Sequence, residues 1–189
     1  MDTRTRILHA AVGVLNEHGL AELTQTRVAR ELGLRQSHVT YHFPTRGDLL
    51  RAAIESGCNR IAGQIDGARG AEHDSLETMR DTMAKMLTDR SHSRFMTAMT
   101  VASEELPELK RWLTRFHKQN LERLEERFGS LGVRPAPDDL QLFHAAVAGA
   151  IHLDLDEGTL ASQRRARHTI RLAFDRLVAD SRPGKDRSR

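Results

Sequence analysis

Apolar residues recur along almost the whole chain at the three- and four-residue spacing of an α-helix, and no segment shows the strict alternation of a half-buried strand. The first apolar stripe runs from Ile7 to Leu15, and Gly19 follows it where a helix commonly ends. The last apolar stripe with this spacing ends near Val178. The pattern predicts an all-α fold of about nine helices.

Two short stripes follow the first one and are separated by a tight turn. Thr24 can cap the second helix, and Gly33 permits the turn because it has no side chain to clash. A third helix is predicted from about Gln36 to Phe43, before Pro44. Because Ala29 is small enough for the helices to cross closely, the segment is predicted to form a helix-turn-helix.

The third predicted helix is too short to be stable alone, so its apolar side must hold it in place. Val39 and Phe43 supply that side. The outward positions are predicted to be Gln36, Ser37, His38, Thr40, Tyr41 and His42. Gln, Ser and Thr bond base edges, and Tyr commonly reaches a phosphate. A merely solvated face would more often carry Glu and Lys, so the composition favours DNA reading.

The charge of the chain is informative only locally. The formal net charge is +3, but four arginines lie between Thr26 and Arg46 against one acid, Glu31. A local basic excess is what attraction to phosphates requires. On charge alone, an ordinary solvated helix face is an equally good interpretation.

The remaining helices follow from similar signals. Thr45 and Asp48 have the spacing of an N-terminal capping box, which opens a fourth helix reaching the region of Ile65. Further helices are predicted at roughly 75–89, 92–104, 106–128, 138–156 and 160–180. A polar linker ends at Ser75, and the basic segment 181–189 is predicted to be a disordered tail.

Several classes of protein are disfavoured by what the sequence lacks. Cys58 is the only cysteine, so neither an intramolecular disulfide nor a cysteine zinc cluster can form. The first residues lack the layout of a signal peptide, and no apolar run approaches the ~18 residues of a membrane span. These observations predict a cytoplasmic protein without a membrane partner.

Four blocks of sequence between Thr3 and Leu50 carry more specific information. They are Thr3-Arg4-x-x-Ile7-Leu8-x-Ala10-Ala11, His18-Gly19-Leu20, Thr24-x-x-x-Val28-Ala29-x-x-Leu32-Gly33-Leu34 and Val39-Thr40-Tyr41-His42-Phe43-Pro44-Thr45-Arg46-Gly47-Asp48-Leu49-Leu50. The last block is similar to the Leu-Tyr-Tyr-His-Phe-Pro-Ser-Lys-x-x-Leu signature of the TetR family of bacterial transcriptional regulators. Over about a quarter of the chain, the combination resembles that family.

The resemblance implies which residues contact DNA. Base edges or nearby phosphates are expected to be contacted by Gln36, Ser37 and His38. The phosphate backbone is expected to be contacted by Tyr41, His42 and Arg46. Further phosphate contacts at the start of the second helix are expected from Thr24, Gln25 and Thr26. Arg35 replaces the family's usual Ser, which removes a helix cap and adds a charge for phosphate. Thr40 replaces an aromatic residue of the signature, which removes a phosphate or packing contact.

The resemblance also implies a dimer built by the last two helices and a ligand cavity among the central ones. The predicted helices 138–156 and 160–180 carry apolar stripes suited to a four-helix bundle between two subunits. The same stripes would serve equally in the core of one subunit. Large side chains at helical spacing are the candidate effector contacts, namely Met83, Met86, Phe95, Met96, Met99, Trp112, Phe116, His117 and Phe143. Such stripes are more often plain core.

Metal and enzyme chemistry find little support. His38 and His42 have a spacing that can bind zinc, but no Cys or acidic ligand lies close in sequence. His144 and His152 are eight residues apart and do not form a natural chelating pair. We therefore predict no metal site, no cofactor and no catalytic residues. The alternative, a helical enzyme or small-molecule carrier without a DNA-binding role, lacks a nucleophile elbow or a phosphate-cradling loop.

These predictions define two functional segments. Residues 1–46 are expected to form the helix-turn-helix DNA-binding domain, and residues 47–180 the effector-binding and dimerisation domain. The predicted function is that of a homodimeric repressor. It binds a palindromic operator in double-stranded DNA and is released from it by an unknown small-molecule effector. An activator, or a regulator whose cavity stays empty, is an open alternative.

Overall fold

The computed structural model describes residues 1–67 and 75–181, and within these ranges the chain is all-α with nine helices. The helices are α1 Thr3–His18, α2 Gln25–Glu31, α3 Gln36–His42, α4 Arg46–Gly67, α5 Leu76–Leu87, α6 Arg90–Glu105, α7 Pro107–Ser130, α8 Pro137–Glu157 and α9 Leu160–Asp180. The predicted fold class is confirmed. Most of the predicted linker before Ser75 and of the predicted tail after residue 181 lies outside the described residues.

The described residues divide into two compact units. Residues 1–67 and 90–114 form the first unit, and residues 75–89 and 115–181 form the second, so α7 contributes to both. The first unit extends beyond the predicted DNA-binding segment because α4 and α6 both pack against α1. The functional division after Arg46 stays a prediction.

Local capping explains where the helices of the first unit begin. The Asp2 carboxylate accepts a 2.7 Å bond from the backbone N–H of Thr5 and starts α1. At the start of α4, the Thr45 N–H and the Asp48 N–H each donate to the other residue's side chain at 3.0 Å. The predicted capping box at Thr45 is therefore confirmed, and it satisfies N–H groups that have no partner inside the helix.

The side chain of Phe95 on α6 lies very close to the backbone of α4 at Gly57. A β-carbon added there would lie 2.3 Å from Cζ of Phe95, whose side chain is 1% exposed. One residue further along α4, the Cys58 thiol lies 3.4 Å from the Met99 sulfur, and burial raises the pKa of this thiol to about 12. Gly57 thus leaves room for the Phe95 ring of α6 against the backbone of α4.

The second unit is built around α8 and α9. Phe128, Phe143 and Phe174 form a ring cluster with centroid separations of 5.2 to 6.5 Å, suited to edge-on and tilted aromatic contacts. At the turn between α8 and α9, the buried Asp154 carboxylate accepts a 2.5 Å bond from the Ser162 hydroxyl. The buried carboxyl group therefore has a hydrogen-bond partner, which offsets the cost of burying it.

We expect Gly57→Ala to lower the free energy of unfolding, because the new methyl group would force the buried Phe95 ring to move. Overpacking of this kind costs about 1–3 kcal/mol, offset in part by the about 1 kcal/mol that alanine gains over glycine in a helix. Urea unfolding followed by circular dichroism measures the net change.

Gly63→Ala is the matched control for this prediction. Gly63 lies on the same helix, is exposed, and has no heavy atom within 4 Å of an added β-carbon. This variant should equal or exceed the parent in stability. If the two variants were equally stable, the close contact of the Phe95 ring with α4 would be contradicted.

Candidate nucleic-acid interface

The turn between α2 and α3 is set by local backbone geometry. The Thr24 hydroxyl accepts a 3.0 Å bond from the Arg27 N–H and caps α2, as predicted. Gly33 has φ +64°, a left-handed conformation that favours glycine, and the following Leu34 N–H donates to the Ala29 carbonyl at 2.9 Å. The chain reverses here within three residues of the end of α2, and α3 follows at once.

Helix α3 has a buried side and an exposed side. Val39 is fully buried and Phe43, just after the helix, is 3% exposed. Opposite them, Tyr41 is 83% exposed. The other exposed members of this polar face are Gln36, Ser37 and His38. Arg35 precedes the helix without a capping bond from its side chain.

Side-chain bonds attach α3 to α2. The Gln25 amide donates to the Phe43 carbonyl at 2.5 Å, and the Thr26 hydroxyl donates to the Gln36 carboxamide oxygen at 3.0 Å. His42 is half-buried, and the Tyr41 ring meets it edge-on at 5.1 Å. Gln25 and Thr26 were predicted as DNA contacts, and in the structure they position the two ends of α3. The bond from Thr26 to the Gln36 carboxamide oxygen also fixes the orientation of the Gln36 side chain.

Arg46 is bound within the first unit. Its guanidinium donates to the Leu20 and Leu23 carbonyls at 3.0 Å each and lies 3.4 Å from a Glu105 carboxylate oxygen. The residue was expected at a phosphate, and that expectation stays a prediction, since a guanidinium has five N–H donors. These contacts attach the start of α4 to the loop before α2 and to the end of α6.

The basic excess of this segment is only partly available to phosphate. Arg27 lies 2.8 Å from Glu31 and 3.6 Å from Glu22, so its charge is largely neutralised. Arg30 and Arg35 are exposed. The positive charge that faces outward is therefore concentrated at the two ends of the α2–α3 turn.

Sequence reasoning missed Arg4. Its guanidinium carbon lies 5.3 Å from the centre of the Phe43 ring, a cation–π contact at the end of α3. The residue is exposed and adds positive charge beside the polar face. The only signal in the sequence was that Arg4 lies in the first of the four blocks, because a contact across 39 positions leaves no periodic pattern.

The predicted effector residues are divided between the two units. The first unit contains Phe95, Met96, Met99 and Trp112, and the second contains Met83, Met86, Phe116, His117 and Phe143. In the first unit, Phe95 and Met99 contact Gly57 and Cys58 of α4. In the second, Met83 and Phe143 belong to the hydrophobic core. Their part in ligand binding stays a prediction.

The second unit also has a surface groove, at a different place from the predicted effector residues. It has a volume of about 410 Å³ and is lined by Leu76, Glu77, Arg80, Phe174, Asp175, Val178 and Ala179. None of the predicted effector residues lines it. Its charges are already paired, because Arg80 lies 3.2 Å from Asp175 and 2.9 Å from Asp81.

Two family models match the chain. Residues 7–53 match the model of bacterial regulatory proteins of the tetR family, and residues 71–180 match the model of the tetracyclin repressor-like C-terminal domain. The chain therefore belongs to the TetR family of bacterial regulatory proteins. The resemblance predicted from the N-terminal motifs is confirmed.

Individual relatives agree with this assignment. Over 124 residues, 64% of this chain and 60% of the relative, the chain is 30% identical to the HTH-type transcriptional regulator CymR of Pseudomonas putida. A transcriptional regulator from Rhodococcus sp. Rha1 has the same fold, with a TM-score of 0.78 and 18% identity over 95% of this chain and 98% of that one. A regulator from Saccharomonospora viridis, solved in complex with choline, gives a TM-score of 0.75 and 15% identity over 91% and 95%. In the described ranges, no helix is both long and apolar enough to cross a membrane.

We expect Arg46→Met to lower the free energy of unfolding, because two carbonyls lose a charged donor. Hydrogen bonds to a charged group are worth about 1.5–3 kcal/mol. Glu105→Gln removes only the exposed ion pair and should cost less than about 1 kcal/mol. Thermal unfolding of both variants separates the two contributions. Equal stabilities for Arg46→Met and the parent would show that Arg46 does not hold the loop.

Proposed function

We propose that the chain is a homodimeric repressor that binds a palindromic operator and leaves it when a small-molecule effector binds. The observation that carries the proposal is the polar face of α3, where Gln36, Ser37, His38 and Tyr41 are exposed while Val39 is fully buried. A face of this kind can enter the major groove without disturbing the core that holds it.

The hydrogen bonds and exposure of the residues on this face suggest which part of the DNA each one contacts. The Gln36 oxygen accepts from Thr26, which leaves the amide NH₂ directed to other acceptors. Ser37 and His38 supply short polar groups for neighbouring base edges. Tyr41 is 83% exposed and is suited to a phosphate, with the exposed Arg35 adding charge.

The start of α2 is suited to a second phosphate contact. Thr24 caps the helix through its hydroxyl, and the N–H groups of Gln25 and Thr26 stand in the first turn. Helix N-termini attract anions. Any phosphate contact of Arg46 or His42 would supplement these groups, since Arg46 also bonds the loop.

A dimer is supported by the exposed apolar residues of the second unit. Leu142 and Leu153 of α8 are 70% and 63% exposed, and Leu172 of α9 is 43% exposed. Between the two leucines of α8, exposed Ala145 and Gly149 continue the same face at helical spacing. A second copy of the chain would bury this face in a four-helix bundle and would place two α3 helices on two half-sites.

Contacts within the first unit suggest how a signal reaches α3. Phe95 and Met99 of α6 lie against Gly57 and Cys58 of α4. The end of α6 pairs with Arg46 at the start of α4 through Glu105. An effector that shifts α6 would therefore move α4 and change the distance between the two α3 helices, provided that it prefers the shifted state.

The predicted effector residues support a small organic ligand. The choline complex of the Saccharomonospora viridis regulator shows that a protein of this fold is able to hold one. Met96 and Trp112 are half-buried in the first unit, and Met86 and His117 in the second. Half-buried methionines adapt to different ligand shapes, and Trp and His add N–H donors.

Tyr41→Phe is expected to weaken binding to every DNA sequence about 3- to 10-fold, since it removes one hydrogen bond of about 1 kcal/mol. Ser37→Ala and Gln36→Ala should instead reduce the preference for the operator over mismatched sites. Mobility-shift titrations with an operator selected from a random library measure both effects.

Gln141→Ala provides the control for these variants, because Gln141 is an exposed glutamine of α8 outside the first unit. It should leave DNA affinity unchanged. If the α3 variants also bound every site like the parent, the face would have no part in DNA binding.

Leu153→Lys is expected to convert the dimer to a monomer, because a charge would be buried within the proposed interface. Light scattering coupled to size-exclusion chromatography gives the mass directly. Val101→Lys is the control, since Val101 is an exposed apolar residue of α6, 47% exposed, in the first unit. A parent chain that runs as a monomer, or a Leu153→Lys variant that stays dimeric, would refute this interface.

A further inference from the structure

Two histidines that are far apart in sequence meet inside the second unit. His117 of α7 and His144 of α8 have ring centroids 5.9 Å apart, with 59° between the ring planes. Both side chains are half-buried, so water can still reach them. From the sequence, His144 and His152 were not expected to form a chelating pair, and in the structure His152 is 70% exposed and lies 3.8 Å from Asp156.

The surroundings keep both rings neutral. Burial lowers the pKa of His117, and the neighbouring His144 lowers it further. Burial also lowers the pKa of His144. A neutral imidazole has a nitrogen lone pair, which is the form that binds a metal ion. At neutral pH the pair thus offers two nitrogen donors from two different helices.

We propose that His117 and His144 together bind one divalent transition-metal ion of the Zn²⁺ or Ni²⁺ type. Zinc lies about 2.0–2.1 Å from an imidazole nitrogen, so an ion shared by two rings holds their centres about 5–6 Å apart. The observed separation lies in this range. Binding requires that rotation about the side-chain bonds directs one nitrogen of each ring at a common point.

The donor set determines the class of ion. Imidazole suits Zn²⁺, Ni²⁺ and Cu²⁺, whereas Mg²⁺ and Ca²⁺ require oxygen ligands. Within the described ranges, no group of three His, Cys, Asp or Glu side chains could hold a metal. Two coordination positions or more are therefore left to water or to a donor atom of a bound small molecule. The binding step does not depend on the proposed repressor function, because it is measured without DNA.

The test is titration of the full-length protein with Zn²⁺ alone, read by competition with a chromophoric chelator. The parent should bind Zn²⁺ and Ni²⁺ but not Mg²⁺. His117→Gln and His144→Gln should each lower the affinity for Zn²⁺ by about tenfold or more. Loss of a residue that only hydrogen-bonds to a metal ligand already lowers metal affinity by roughly 10- to 100-fold. The His38→Gln/His42→Gln double variant removes a second possible chelating pair and serves as control.

The outcomes separate this site from incidental binding at other histidines. Loss of binding in the His38→Gln/His42→Gln variant, with His117→Gln unchanged, would overturn the proposal, as would a parent chain that binds no Zn²⁺. Histidine ring resonances in NMR spectra of the parent provide a measurement that needs no folded variant. Zn²⁺ should shift the signals of His117 and His144 together, and unshifted signals would contradict the site.

Discussion

Helix α3 has only seven residues, and a helix of that length has no stability of its own. Everything that the chain does with DNA therefore depends on how α3 is held. The buried Val39 and Phe43 anchor one side, and bonds from Gln25 and Thr26 hold its two ends. Because the anchors occupy one side only, the opposite side is free to carry polar groups chosen for recognition.

The same first unit also contains the connection through which α3 can be moved. Helix α4 starts three residues after Phe43, and Arg46 joins that start to the Leu20 and Leu23 carbonyls and to Glu105 of α6. Further along, the Phe95 ring of α6 lies against α4 at Gly57. The side chains of α6 therefore contact α4 at two places, near its start and near Gly57.

Features that depend on neighbours in sequence could be predicted, and features that depend on distant partners could not. The caps at Thr24 and Thr45, the turn at Gly33 and the exposed face of α3 all follow from residues within a few positions of each other. By contrast, the local motif at Arg46 predicted a phosphate contact and gave no sign of its partners within the chain, which include a carboxylate 59 positions away. Local patterns do not encode such long-range contacts.

In the second unit, too, contacts between distant residues could not be predicted from the sequence. The apolar stripes of α8 and α9 were predicted, but which members form the core, such as Phe143, and which stay exposed, such as Leu142 and Leu153, depends on the crossing of the helices. The pairing of His117 with His144 likewise arises only when α7 and α8 come together. Residues that would contact an effector are the least predictable from sequence, because a core stripe and a pocket lining share one spacing.

The central claim is that the exposed side chains of α3 read the base sequence. The most direct measurement is selection of bound DNA from a random library, carried out in parallel with the parent chain and with Gln36→Asn. The account predicts a palindromic consensus for the parent and, for the variant, a change confined to the same position in both half-sites. An identical consensus for the two proteins, or the absence of any consensus, would contradict it.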